Sequence, residues 1–444
     1  MPSSLIIGGS LSGLLAARVL SSHFDQVTLL ERDTFPDGPE FRNGVPQSRH
    51  LHILLLKGKE LFTQYFPGLE ADLLAHGAVQ ADAGTEFLTV STFGRIVPVS
   101  NTGLRLLLSS RNLIEHHVRQ CLKGVKNVQI LTQAEVTGYL TGNTPDQITG
   151  VQLRARGGET IPTTLHADLI VDASGRSSQT ADWLATLGYP HPEMTVVNSH
   201  LGYATRWYRR PNGYQSPWKG AIVGVRPPHN PRGGALFPAE GGQWTVTLAG
   251  INACYPPTDD AGFLEFARAL ADPVIYEAIR DAEPVSPIYG YRRTENQWRH
   301  YERLPRWPGG LVVMGDAACG FNPVYGQGMT SAAMGAALLD KQLQTEKRFT
   351  PAFGQAYQRK LAKFLETPWL MATGEDFRWE NTEGARPGGA TRLVQGYLDR
   401  VIKLARRDPR AGRAFLKVVH LLEPPTSLFH PAILFPALLQ KKGE

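Results

Sequence analysis

Ser4-Leu5-Ile6-Ile7-Gly8-Gly9-Ser10-Leu11-Ser12-Gly13-Leu14-Leu15 carries a short apolar run into a glycine turn and then into a helical pattern. Leu11, Leu14, Leu15, Val19 and Leu20 recur at helical spacing, and Val27 to Leu30 form a second apolar run. Strand, helix and strand in this order make a βαβ unit. The turn matches the glycine fingerprint of dinucleotide-binding folds at Gly8 and Gly13 and carries Ser10 at the middle position. Gly8 permits a tight turn, Gly13 lets helix and sheet approach, and the free amides at the helix start favour a pyrophosphate. Glu31 closes the second strand 18 residues beyond Gly13, where a carboxylate accepts ribose hydroxyls. The competing reading makes Gly8 and Gly13 ordinary turn and packing glycines and Glu31 a solvated strand end.

Further along, Ser110 to Leu122 reads as an amphipathic helix, and Val128 to Leu131, Gln147 to Arg154 and Leu169 to Val171 read as strands. From about 181 to 290 the texture becomes aromatic and rich in Pro and Gly, with short alternating stretches such as Leu201 to Tyr208 and Gln243 to Leu248. That pattern predicts an inserted, mainly antiparallel sheet. Leu311 to Met314 then returns as a buried strand, Met329 to Leu343 follows as a helix, and the chain beyond about 346 is mostly helical. The predicted fold class is therefore α/β. A discontinuous Rossmann-like domain (1–180, with 86–100 contributing to the substrate sheet, and 291–345) surrounds a substrate domain (181–290), ahead of a helical C-terminal region (346–444).

The second chemical segment is Gly315-Asp316-Ala317-Ala318, followed by Pro323-Val324-Tyr325-Gly326-Gln327-Gly328-Met329 and a helix. An aspartate directly after a buried strand can hydrogen-bond a ribityl hydroxyl. Gly326 and Gly328 let backbone amides approach the pyrimidine edge of a flavin, and the positive end of the next helix favours its anionic reduced form. On these residues the chain resembles the FAD-dependent monooxygenases of the para-hydroxybenzoate hydroxylase fold, over nearly all of residues 1 to 345.

The resemblance implies roles for further residues. Arg32 and Arg42, in Glu31-Arg32-Asp33 and Arg42-Asn43-Gly44-Val45-Pro46-Gln47, fall where an arginine reaches the FAD phosphates and a loop borders the flavin. Arg111, after Ser110, matches the family's arginine beside FAD. Asp172-Ala173-Ser174-Gly175-Arg176 stands at the family's Asp-Gly motif, with Ser174 replacing the usual aspartate. That replacement leaves NAD(P)H and a separate flavin reductase both open as electron source. The block Gly44 to His52, with Phe237 to Trp244, narrows the resemblance to a bacterial branch containing polyether epoxidases. Pro46, Gln47, His50, Pro323 and Tyr203 are the flavin-proximal candidates, and Tyr203 and Trp207 are expected to face the pocket from one side of a strand.

What the resemblance implies is oxygen insertion from O2 through a flavin C4a-hydroperoxide, with epoxidation of an alkene in an apolar polyketide or terpenoid as the leading expectation. Aromatic hydroxylation, or a reductase or cyclase of the geranylgeranyl reductase type, is the alternative. No Trp-x-Trp-x-Ile-Pro segment occurs, so halogenation is not expected. A non-catalytic nucleotide-binding or redox-sensing protein on the same fold is the reading from a different class.

Composition narrows the remaining classes. The 444 residues are 42% hydrophobic, enough for a sizeable core, and the net charge of +6 is diffuse, which argues against nucleic-acid binding. Lys403 to Arg413 reads as one polar face of a terminal helix. Cys121, Cys254 and Cys319 are too separated for a disulfide framework or a CxxC metal pair, and no metal site is expected near His50 and His52. The strand at residues 4 to 7 leaves no room for a signal segment, which points to the cytoplasm. Leu421 to Leu439 is apolar and ends in Lys441-Lys442, so it either docks on the protein or rests on a membrane surface.

Overall fold

The computed structural model describes residues 1–100, 102–144, 146–157, 161–386 and 388–440. At its centre lies a five-stranded parallel sheet in the order Leu311–Val313, Leu169–Asp172, Ser3–Ile7, Gln26–Leu30, Val128–Leu131. Its three inner strands are almost wholly buried, with the helix Leu11–Leu20 and the antiparallel strands Ala134–Thr141 and Ile148–Ala155 packed against them. The helices Leu11–Leu20, Arg111–Lys123 and Gly328–Thr345 pack on this sheet and on one another. Register pairs Ile7 with both Leu30 and Asp172, so Gly8, Glu31 and the residues after Val313 leave the sheet along one edge. In parallel sheets that carboxyl edge is where ligands bind.

A seven-stranded sheet forms the second layer, in the order Tyr289–Tyr291, Gly202–Arg209, Gln243–Gly250, Arg232–Ala239, Gly220–Val223, Phe87–Ser91, Gly94–Arg95. Its pairings are antiparallel except that Phe87–Ser91, from the first third of the chain, lies parallel to Gly220–Val223. The period-two alternation sorts its residues between two jobs. Ala204, Tyr208, Leu236, Trp244, Val246 and Leu248 pack against the helices Asp260–Arg268 and Val274–Ile279. Tyr203, Ile222, Phe237, Thr247 and Ala249 point the other way, into a large cavity.

The cofactor-side helix Gly328–Thr345 is followed by Pro351–Asp376, Gly389–Ala405, Pro409–Val419 and Pro431–Leu438. The last three gather Tyr397, Val401, Leu404, Val418, Leu428 and Ile433 into their own apolar cluster. Lys403 to Arg413 is not one helical face: the chain breaks between two helices, and Asp408 caps the second by accepting from Arg410 N. The 421–439 segment is docked through Leu428, Ile433 and Ala437, while Phe435 and Leu439 remain 60% and 80% exposed. Among the described residues no helix is long and apolar enough to cross a membrane.

Candidate cofactor and substrate site

Gly8 sits at φ +102°, and a Cβ there would meet the Ala173 carbonyl at 2.6 Å, so the turn needs glycine. Gly13 is held to the sheet even more tightly, since a Cβ would fall 1.8 Å from the Gly8 oxygen. The helix Leu11–Leu20 starts at an extended Ser10 that gives it no side-chain cap, which leaves its first amide hydrogens free for an anion. Arg111 reaches this turn from another helix, donating from Nη2 to Ser10 Oγ at 2.6 Å.

Glu31 is buried, accepting from Gly9 N at 2.8 Å and pairing with Arg42 Nη1 at 3.1 Å. Arg42 also binds Glu115 at 3.0 Å and the Gly9 carbonyl at 3.2 Å. Burial works against the Arg42 charge, but Glu115 and Glu31 outweigh it and hold the guanidinium above its ordinary value. Glu31 is thus no solvated strand end. Arg32 is exposed and lines the outer mouth of the same cavity.

Asp316 follows the edge strand on a short turn and lines the cavity. Burial raises its carboxyl, against the pull of Arg176, Arg111 and Arg299. Gly315, at φ +61°, lies so near Ser12 that a Cβ would stand 2.5 Å from its Oγ. Pro323, Gly326, Gln327, Gly328 and Met329 line the cavity next to it, as do Pro46 and Gln47 from the turn Pro46–Arg49. Gly326 is left-handed at φ +66°, against Ile53. Ser12 Oγ, Arg111 Nε and Gln327 Oε1 are buried without a hydrogen-bond partner among the described residues. Buried polar groups are ordinarily satisfied, so three orphans around one cradle fit a polar, anionic cofactor held there.

Two expectations change. His50 does not line the cavity: its Nδ1 bonds Thr205 Oγ1 at 2.8 Å, and its ring stands edge-on to Tyr203. The neighbouring His52 lines it instead. Tyr203 faces the cavity, but Trp207, on the same face of the strand, is covered by Phe41 and donates from Nε1 to the Arg49 carbonyl at 3.1 Å.

Sequence reasoning missed two carboxylates. Glu240, in the turn after Arg232–Ala239, accepts from both N and Oγ of Ser110 and so clamps the helix that carries Arg111. Asp376, fully buried, accepts from Asn296 at 2.6 Å and from Asn322 and Tyr325 at 3.0 Å each. It thereby fixes the loop of Pro323 and Gly326 from the C-terminal helices. Burial pushes its carboxyl up to about 6, with those donors pulling it down. The spacing Leu365, Trp369, Ala372, Asp376 was the available signal, because it sets a carboxylate on the apolar face of a helix.

The cavity measures about 1120 Å³ and runs without a break from Gly8 through the flavin loop to Leu398, Ile402, Phe415 and Leu416. A single drug-sized ligand needs roughly 300–1,000 Å³, so cofactor and substrate fit end to end. The fold and this cradle define a flavoprotein of the dinucleotide-binding type.

Known proteins agree. The family described as FAD binding domain matches residues 2–348. Protein Rv3254 of Mycobacterium tuberculosis is 30% identical over 432 residues, covering 95% of this chain and 90% of that protein. Among solved structures, the flavin-dependent brominase Bmp2 superposes with a TM-score of 0.67 at 13% identity, covering 98% of this chain and 97% of that one. The p-nitrophenol 4-monooxygenase PnpA of Pseudomonas putida gives 0.65 at 16%, covering 96% and 100%. These two likenesses are of fold. The chain belongs to the FAD binding domain family, and it is an FAD-dependent oxidoreductase.

Proposed function

We propose that this enzyme is a monooxygenase that inserts one atom of O2 into an apolar small molecule, with epoxidation of a polyketide or terpenoid alkene as its reaction. The observation that carries the proposal is the uninterrupted cavity: one end is the polar cradle, the other is walled by Phe87, Ile222, Phe237, Leu398, Phe415 and Leu416. Bound FAD supplies the electrons and the activation of dioxygen. The chain supplies the rest. Gly8 to Ser12, Glu31, Arg42 and Arg111 hold the dinucleotide, and Asp316 with Gly326 to Met329 holds the flavin. On this reading residues 1–180 and 291–345 serve the cofactor, 181–290 with 86–100 form the substrate wall, and the helical region 346–444 closes the roof. The apolar walls exclude water, which would otherwise divert activated oxygen to peroxide. An alkene asks for no base at the substrate, and the chamber walls are accordingly poor in paired carboxylates. The block Gly44 to His52, with Phe237 to Trp244, carries the likeness to polyether epoxidases on which the choice of epoxidation rests.

A second reading, hydroxylation of an aromatic ring, is favoured by the polar ring of His52 in that chamber. The reductant is NAD(P)H or a separate reductase, in the cytoplasm. Turnover under heavy dioxygen tests the proposal: one labelled atom in an epoxide or alcohol is expected. Anaerobic turnover, or product oxygen drawn from water, overturns it in favour of a reductase or cyclase.

A further inference from the structure

His52 lies on the extended segment between the turn Pro46–Arg49 and the helix Leu56–Tyr65. Its neighbours Ile53 and Leu55 abut Gly326 of the flavin loop. Arg111 is near enough for its charge to act on the ring, so His52 stands where the cofactor cradle opens into the chamber. Its Nδ1 lies 2.9 Å from the His50 carbonyl oxygen. A carbonyl can only accept, so Nδ1 carries the proton and Nε2 carries a lone pair. Burial, reinforced by Arg111, pushes the ring down to about 3, which keeps this tautomer neutral at ordinary pH.

Nε2 is on the side of the ring away from that carbonyl, and it has no hydrogen-bond partner among the described residues. An acceptor held in an apolar chamber selects for a donor. A ketone or ether would set lone pair against lone pair, whereas a hydroxyl satisfies it.

We propose that His52 Nε2 accepts a hydrogen bond from a substrate hydroxyl, so that the molecule taken into this chamber is apolar but carries an alcohol or phenol beside the carbons to be oxidised. This rests on the chamber being the substrate site, and not on which reaction follows. A hydroxyl held there sets which double bond or ring position faces the flavin. On a phenol, the same contact enriches the ring for electrophilic oxygen.

The test is binding to the oxidised, FAD-loaded enzyme, read from perturbation of the flavin absorbance. The probes are two pairs, citronellol with its methyl ether and para-octylphenol with para-octylanisole. In the wild type the hydroxyl member of at least one pair binds about tenfold tighter, the usual effect of one hydrogen bond. His52→Leu removes that preference and leaves the ether's affinity unchanged. His52→Gln, whose amide oxygen accepts, keeps part of it and serves if the leucine variant loses FAD. The pair that shows the preference tells an alcohol from a phenol. Failure of all four probes to bind, equal affinity within both pairs, or a preference that survives His52→Leu overturns the proposal. No turnover is measured, so the result stands even if oxygen insertion is disproved.

Discussion

At the scale of single residues, two carboxylates of the cradle carry different burdens. Glu31 neutralises Arg42 in a buried pair, so Glu31→Ala leaves a charge short of partners at a cost of about 3 kcal/mol. Its apoprotein should melt several degrees lower. Asp316 has a carboxyl that burial already disfavours, so Asp316→Ala should leave the apoprotein's melting midpoint unchanged or higher. FAD retention in that variant should nevertheless drop roughly tenfold to a hundredfold, since a charge-assisted hydrogen bond is lost. Thermal melts of apoprotein beside FAD titrations separate the two, and wild-type FAD affinity in Asp316→Ala would remove its ribityl role. Sequence exposed these residues because glycines and carboxylates at strand ends obey local rules. It favoured His50 over His52, and the structure turns His52 inward: both lie in a segment without periodicity, where no alternation says which ring faces the cavity. Tyr203 and Trp207 share a face by strict alternation, yet the loop of Phe41 and Arg49 covers only the second, a contact no local pattern encodes.

Elements tell a similar story. The parallel strands were legible as apolar runs, and the sheet wall as alternation, because each pattern reports its own burial. The roof over the chamber was not, since which helix meets which loop depends on tertiary docking. The helix Pro351–Asp376 shows the consequence: its last residue fixes the loop Asn322 to Gly326 through two donors of that loop, Asn322 and Tyr325, and accepts a third bond from Asn296. Because burial lifts Asp376 from 3.8 to about 6, its contribution to stability is full below about pH 4 and disappears as pH rises through 6. Relative to Asp376→Asn, the wild type should therefore lose about 2 kcal/mol of unfolding free energy between pH 4 and pH 7, as measured by urea titration. A difference constant with pH would refute a buried, titrating carboxylate. With its carboxyl at about 6, Asp376 is mostly ionised at neutral pH, where it accepts from Asn296, Asn322 and Tyr325.

For the molecule as a whole, one cavity spans three layers, so cofactor and substrate losses should be separable. Acid precipitation should release FAD into the supernatant, because the cradle is built of hydrogen bonds and ion pairs. Flavin remaining with the pellet would show a covalent link. The double variant Phe415→Ala, Leu416→Ala should stay yellow but, with a substrate present, divert most consumed oxygen to hydrogen peroxide, which a peroxide assay reads directly. Unchanged coupling would mean that the C-terminal roof does not keep the chamber dry. The order of strands in the central sheet has a further consequence, felt on the ribosome. The glycine turn emerges first, but Leu311–Val313, Asp316 and the flavin loop emerge after the whole seven-stranded wall has been made. Until then Leu169–Asp172 is an unpaired edge, and the nascent chain has only half a grip on its cofactor. Full flavin capture is therefore expected late in synthesis, once residues 311–329 have emerged. Cells starved of riboflavin should accumulate this enzyme as a complete chain with an open cleft, exposed to proteases at the flavin loop.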